Sequence, residues 1–495
     1  MYPESKKNYN ITVDDIYAPV LIIGTGIGGL VTAYCLSQSN IDYMIVTKEH
    51  SPKAGNTLLA PANSRVPEPQ EIENIVKLSI EKCGAPRSLI YEIYKNSEWV
   101  KKFYNEIGLA CNKTVFGVMP VDEKYKLGGR AIVEDLLPRI NQPMNHMELL
   151  HIERSNDIII SYFYNSNYDK IYRIVSYNLV LATGGYGAIF SFNDNHVAAT
   201  GEGILLAKST GAKLKGMSTV MYHPWSVLNG KKILVGDIVA LSGGKVIDDD
   251  GYQLIKDEKL VSAIKNNSYH EMFKDILEKE FEIIKSGKKM YLDMRCLDEE
   301  YVKNMLKLHG YVPEILVNGL IQIFPTVHYT SGGVVVDGNC QAVGVANLYV
   351  VGEAQFNGDK GCGRLPGQAF TSAIVCGKII SDAIKATKRI SKPELIKEEL
   401  CVPDLFAEFY SEESSDLSNI RDYQIQLGEL LTFLTSEKIS LLDLTSANEE
   451  IEKVESSVAL MKGSGKDFLL ILKVHFICGL AREILNDIKS REKTN

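Results

Sequence analysis

A lone histidine, His328, stands among β-forming residues in Phe324-Pro-Thr-Val-His-Tyr-Thr-Ser-Gly-Gly333 and leads into Val334-Val-Val-Asp337. An imidazole in that setting either hydrogen-bonds within the fold or faces a ligand as a donor or proton carrier. Taken alone, it reads as a structural residue. The second chemical signal is Gly24-Thr-Gly26-Ile-Gly-Gly29. Glycines at this spacing let the backbone turn tightly and approach a pyrophosphate, whose charge is favoured at a helix N-terminus. The competing reading is a tight glycine turn with no ligand.

The elements around the glycines arrive in the order a dinucleotide site needs. Pro19-Val-Leu-Ile-Ile-Gly24 is a short continuous apolar run that fits a strand buried on both faces, and Leu30-Val-Thr-Ala-Tyr-Cys-Leu has helical spacing. Tyr43-Met-Ile-Val-Thr47 closes the βαβ unit. It ends in Thr47-Lys48-Glu49, whereas a carboxylate at the strand end is the usual ribose acceptor, so Thr47 or Glu49 is left to do that work. The motif by itself does not separate NAD from FAD.

Further along, residues 156–182 read as two β segments around the turn-forming Asn165-Ser-Asn167, followed by Asn178-Leu-Val-Leu-Ala-Thr183-Gly184-Gly185. Residues 223–326 are more polar and mixed, with a helical stretch from His270. Asn347-Leu-Tyr-Val-Val-Gly-Glu353 is another buried strand ending in glycine, and a helix follows from Gln368. From about residue 393 the chain is charged and helical. Residues 468–481 form its most apolar run, a buried helix with Asp467 as the expected N-cap and too short to span a bilayer.

A chain of 495 residues implies two or three domains. The formal charge of -8, without an extended basic stripe, argues against nucleic-acid binding. Nine scattered cysteines with no Cys-x-x-Cys pair speak against a disulfide framework, a metal site or an iron–sulfur cluster, and lead us to expect a reducing, cytoplasmic setting. The polar N-terminus has no apolar segment of signal-peptide type.

The ordered set of motifs resembles the flavoproteins of the succinate dehydrogenase, fumarate reductase and L-aspartate oxidase family. Besides the glycine turn, Ala182-Thr-Gly-Gly185 and Val351-Gly-Glu353, it includes Thr200-Gly-Glu-Gly203, Tyr222-His-Pro224, Val327-His-Tyr-Thr-Ser-Gly-Gly333 and Gly361-Cys-Gly-Arg-Leu365. In length and motifs the resemblance is nearest to L-aspartate oxidase. It implies an α/β fold with a Rossmann-like FAD-binding domain in two parts (1–222 and 327–392), an inserted α+β capping domain (223–326) and a C-terminal helical domain (393–495). It assigns FAD contacts to Gly24, Gly26, Gly29, Thr47, Lys48, Asn56, Thr57, Thr183, Gly184, Gly185, Glu353 and Leu365. Asn56 stands where covalently flavinylated relatives carry a histidine, so the FAD is expected to be non-covalent. The helix opening near Pro366 would aim its dipole at the flavin edge where negative charge collects on reduction.

For substrate, the resemblance implies a small dicarboxylate exchanging a hydride between its Cα and flavin N5, gripped by His223, His328 and Arg364. An arginine fork suits a carboxylate and histidines add directional donors. The bland alternatives are a strand-end hydrogen bonder for His223 and a surface ion pair or loop clamp for Arg364. The chain also departs from the pattern. The family's acid arginine falls on Phe273, or on Lys274 if one residue is skipped; Ala240 replaces a second arginine near Asp237, Trp225 replaces a threonine, and Lys360 replaces a histidine. A buried lysine can act as an acid, so Lys274 is a candidate substitute, with a solvated helix residue as the alternative. Three readings follow. They are an L-aspartate oxidase-like enzyme of NAD biosynthesis with a quinolinate-pathway partner, a succinate dehydrogenase or fumarate reductase flavoprotein with or without an iron–sulfur subunit, and a divergent FAD-binding protein with little turnover.

Overall fold

The computed structural model describes residues 11–492, apart from 228–232, 235–243, 255–268, 301–318, 394–402, 437–439 and single positions 115, 126, 299, 388, 390 and 392. Strand β1 (Thr12–Ile23) is partly exposed over its first half and buried over its last six residues, which is the apolar run seen in the sequence extended backwards. Helix α1 (Ile27–Gln38) and strand β2 (Met44–Val46) follow, and β2 lies parallel to β1 with Leu21 opposite Met44. On the other side of β1 runs the Lys170–Leu181 strand, also parallel. Its last three residues pair in parallel with Leu348–Val350.

The first half of the Lys170–Leu181 strand instead continues an antiparallel meander with Ile158–Asn165 and Glu148–Ser155. The expected turn is present: the Asn165 side-chain oxygen accepts from the Asn167 N–H at 3.1 Å. The separate segment expected at Asn178 is not a new strand, because the strand begun at Lys170 runs straight through it. Helix α1 packs against the Gln368–Thr387 helix so closely that a methyl at Gly377 would sit 3.0 Å from the Val31 side chain.

A second, antiparallel sheet places Ile233–Leu234, Val220–Val227, Leu320–Thr330, Met290–Asp293 and Lys245–Asp248 side by side. The expected boundaries at 222/223 and 326/327 fall within two of these strands. The register brings His223 opposite Thr326 and then breaks before Ser226. Pro224 has no N–H to give the ladder, so the strand bulges there and its side chains are re-aimed. The helix Tyr269–Lys285 packs on this sheet, with Phe281 edge-on to Tyr222 at 5.4 Å.

The C-terminal part is helical over Asp404–Phe409, Ile420–Ser436, Leu441–Val458 and Gly465–Glu492. The last helix starts at Gly465, so Asp467 lies inside its first turn and is not the cap. A carboxylate there still complements the positive end of the helix. Among the described residues, no helix is long and apolar enough to cross a membrane, and no group of three or more His, Cys, Asp or Glu could hold a metal ion.

Candidate active site

The glycine turn between β1 and α1 is built by close approach. A methyl at Gly29 would lie 2.1 Å from the Gly24 carbonyl oxygen, one at Gly28 would lie 2.7 Å from Val351, and one at Gly24, where φ is +112°, would lie 2.3 Å from the Ala182 carbonyl oxygen. Gly26 opens α1 without a side chain of its own to cap it, and the first turn carries no acidic residue. Such an end presents N–H groups and a positive dipole to an anion. Thr57 takes one of these donors itself, accepting from the Ile27 N–H at 3.0 Å.

The strand ends flanking this turn continue the cradle. Among the described residues, nothing lies within 4 Å of a would-be side chain at Gly184, where φ is +76°, and the buried Thr183 hydroxyl has no hydrogen-bond partner. Gly185 is held against Glu353, because a methyl there would lie 2.5 Å from the carboxyl Oε1. That Oε1 accepts from the Thr330 N–H at 2.9 Å and the Thr330 hydroxyl at 3.1 Å, and Oε2 accepts from Asn56 Nδ2 at 3.4 Å. Burial raises the Glu353 pKa, against the pull of the Thr330 N–H and the Arg364 charge. Leu365 is buried, with its N–H on Gln368 Oε1 at 3.2 Å.

At the end of β2, Thr47 is buried and Lys48 is turned onto Thr200, 2.6 Å away, and into an ion pair with Glu202. Burial opposes the Lys48 charge, but Glu202 and Glu148 outweigh it and its pKa is raised. These groups line a cleft of about 360 Å³ together with Lys473 of the last helix. A helix end with only its Ile27 N–H taken by a side chain, three glycine contacts, the Glu353 carboxylate and a Thr183 hydroxyl unpartnered among the described residues form a donor and acceptor set that fits the pyrophosphate and polyol of FAD.

Two of the three expected anion-gripping residues are histidines with neighbouring rings, and the charge of the third, Arg364, reaches His328. The His223 and His328 rings are 5.9 Å apart, and the Arg364 guanidinium stacks on the ring of Tyr329, the residue after His328, at 4.0 Å. Arg364 is buried, and among the described residues its Nε has no hydrogen-bond partner. The loop carrying it is pinned to the His328 strand: the Ser331 hydroxyl donates to the Cys362 carbonyl at 3.0 Å, and a methyl at Gly363 would lie 2.1 Å from the Ser331 Cβ. His223 Nδ1 accepts from the Trp225 N–H at 3.2 Å. The Lys274 side chain, Asp237 and Ala240 lie outside the described residues.

Two residues that the sequence reading passed over belong to this region. The side chain of Asp194 is largely shielded from solvent, and its Oδ2 is 2.7 Å from His328 Nδ1. Glu280 is fully buried on the Tyr269–Lys285 helix, close to Trp225, and burial holds its carboxyl well above the usual range. Its position was detectable, since it follows Ile276 by one helical turn on an apolar face. Asp194 leaves no such trace, because it sits in a loop.

Comparison with known proteins agrees with this geometry. A family model described as FAD binding domain matches residues 120–369. L-aspartate oxidase of Clostridium acetobutylicum is 24% identical over 402 residues, covering 75% of this chain and 88% of that protein. The fumarate reductase flavoprotein subunit of Escherichia coli is 30% identical over 230 residues, covering 43% of this chain and 38% of that protein. Among solved structures, E. coli quinol fumarate reductase FrdA superposes with a TM-score of 0.77 at 17% identity, covering 96% of this chain and 89% of that one. With more than half of its length matched by one family model and a glycine cradle shaped for the cofactor, the chain belongs to the FAD binding domain family and is an FAD-dependent oxidoreductase of the succinate dehydrogenase, fumarate reductase and L-aspartate oxidase group.

Proposed function

We propose that the chain oxidises a small dicarboxylate, with L-aspartate to iminoaspartate as the best fit. The observation that carries this reading is the buried Arg364 guanidinium, held in place by an aromatic ring and with no hydrogen-bond partner for its Nε among the described residues. A desolvated cation of this kind is costly unless an anion completes it. One substrate carboxylate meets Arg364 through the planar fork, and the imidazoles of His223 and His328 orient the other end. When bound, FAD supplies an acceptor for the hydride leaving the substrate Cα. The chain's own part is to fix the dianion in one pose, because a misplacement of about 1 Å can cost a hundredfold in rate.

Oxidation is favoured over reduction on chemical grounds. Reducing fumarate requires a proton delivered to carbon, and the position matching the family's acid arginine carries Phe273 or Lys274. Oxidising an amine makes no such demand, since the nitrogen lone pair drives hydride departure. The match to an L-aspartate oxidase over 75% of the chain supports the same choice. The 30% identity to a fumarate reductase flavoprotein subunit favours the second reading, in which an iron–sulfur subunit is the partner. We further propose that FAD is held non-covalently. The amide of Asn56 is engaged on both sides, donating to Asn195 Oδ1 at 2.7 Å and accepting from the His196 N–H at 2.7 Å, and it offers no nucleophile to the flavin.

Anaerobic bleaching of the bound flavin with a panel of L-amino acids and dicarboxylates tests the substrate. L-aspartate is expected to bleach it. Bleaching by succinate but not by L-aspartate would move the assignment to the second reading, and co-purification of an iron–sulfur protein would strengthen that one.

A further inference from the structure

We propose that Asp194 is a positioning residue for His328, fixing the ring through Nδ1 so that Nε2 presents a proton to the anion held beside Arg364. The identity of that anion rests on the dicarboxylate reading; the Asp194–His328 pairing does not.

The pairing is built into the backbone. The Val327 N–H donates to the Phe192 carbonyl at 2.8 Å, and the Asp194 N–H and the Asn195 side chain both donate to the Val327 carbonyl, at 3.2 and 2.8 Å. Asn193 braces the loop from inside, donating to the Phe190 carbonyl at 2.6 Å and accepting from the Asn195 N–H at 3.1 Å. The loop is therefore stapled to the strand one residue before His328, and the 2.7 Å bond from Asp194 to Nδ1 follows from that staple. Asp194 keeps only 7% of its side chain exposed, so its carboxylate relies on a partner inside the protein.

The chemistry follows from which nitrogen is occupied. With Nδ1–H directed at a carboxylate, the neutral ring leaves a lone pair on Nε2, which repels an anion, whereas the protonated ring presents Nε2–H, which binds one. Four charged or titratable groups bear on the ring. Arg364 favours the neutral form, Glu353 and Asp194 favour the protonated form, and the His223 ring lies 5.9 Å away. Burial also works against the charge, yet Asp194 outweighs it and the His328 pKa is raised. Without Asp194, burial and the neighbouring guanidinium would leave a neutral ring facing the substrate.

The test is a nitrogen-15 NMR titration of the histidines in the FAD-loaded protein, with malonate binding followed by calorimetry as an inert dicarboxylate probe. Wild-type His328 is expected to titrate above the ordinary value of about 6.5. Asp194→Asn is expected to lower that midpoint by roughly one pH unit or more, weaken malonate roughly tenfold at neutral pH, and recover affinity at acid pH. Asp194→Glu should restore part of both. A wild-type midpoint at or below the ordinary value overturns the assignment without any variant, as does an unchanged midpoint in folded Asp194→Asn. If the midpoint moves as expected but malonate binds at no pH, the Asp194 assignment is supported and only the dicarboxylate reading falls.

Discussion

The guanidinium of Arg364 lies 4.0 Å from the centre of the Tyr329 ring, and the preceding residue on that strand, His328, is bonded to Asp194. One strand thus holds an arginine by its ring face and aims a histidine with a carboxylate from a neighbouring loop. A cation–π contact of this type contributes about 2 kcal/mol when desolvated, which orients the guanidinium without neutralising it. The charge stays available to a ligand.

Replacing Arg364 with Leu removes the fork but not the cofactor cradle. Turnover of the dicarboxylate is expected to fall by roughly a hundredfold or more, with the yellow flavin spectrum intact. Arg364→Lys should recover little, because a point charge cannot make the bidentate contact. Steady-state rates with the best substrate of the bleaching panel check this, and a rate close to wild type in the Leu variant would remove Arg364 from the site.

At Gly185 the prediction concerns the cofactor. A methyl there would lie 2.2 Å from the Thr330 hydroxyl and 2.5 Å from Glu353 Oε1, so Gly185→Ala must push Glu353 off Thr330. Losing two hydrogen bonds to a buried carboxylate, at about 1 kcal/mol or more each, should weaken FAD by roughly tenfold or more. Flavin fluorescence quenching during reconstitution of the apoprotein measures it. Equal affinity in the variant would mean that Glu353 does not hold the cofactor.

Much of the cradle was legible because its causes are local. The apolar run of β1, the glycines that follow and the apolar stretch of α1 each act within a few residues, and the Asn165 turn closes on itself. The substrate side was legible only as separate motifs. His223 meets His328 through antiparallel pairing between distant strands and a break in register after His223, which no local pattern encodes. Asp194 reaches His328 because the backbone of Phe192 and Asp194 and the Asn195 side chain bond to Val327, 132 residues or more away in the sequence, a pairing that no local pattern encodes. The capture of Lys48 by Glu202 likewise depends on the approach of the distant helix Glu202–Ser209.

The attachment of FAD gives a third prediction. With Asn56 spent on Asn195 and His196, acid precipitation should release the yellow colour to the supernatant, and a denaturing gel should show no flavin fluorescence on the polypeptide band. Colour that stays with the pellet through denaturing washes would show a covalent bond formed at some other residue.

Glu280 supplies a pH dependence with a definite sign. Among the described residues neither carboxyl oxygen makes a hydrogen bond of ordinary geometry, although Trp225 is near enough to oppose the rise that burial imposes on its pKa. The folded state therefore keeps this proton at pH values where the unfolded chain has already lost it. Because the folded state then binds more protons, stability falls as pH rises above the ordinary glutamate value of about 4.5 and continues to fall until the folded carboxyl ionises. Glu280→Gln has no proton to lose, so its denaturant midpoint should drop less over that interval, and it should gain on the wild type by about 1 to 3 kcal/mol by mildly alkaline pH. Urea unfolding across the range checks this. Parallel curves for the two proteins would show that Glu280 is paired or hydrated in solution and that the helix does not bury a bare acid against Trp225.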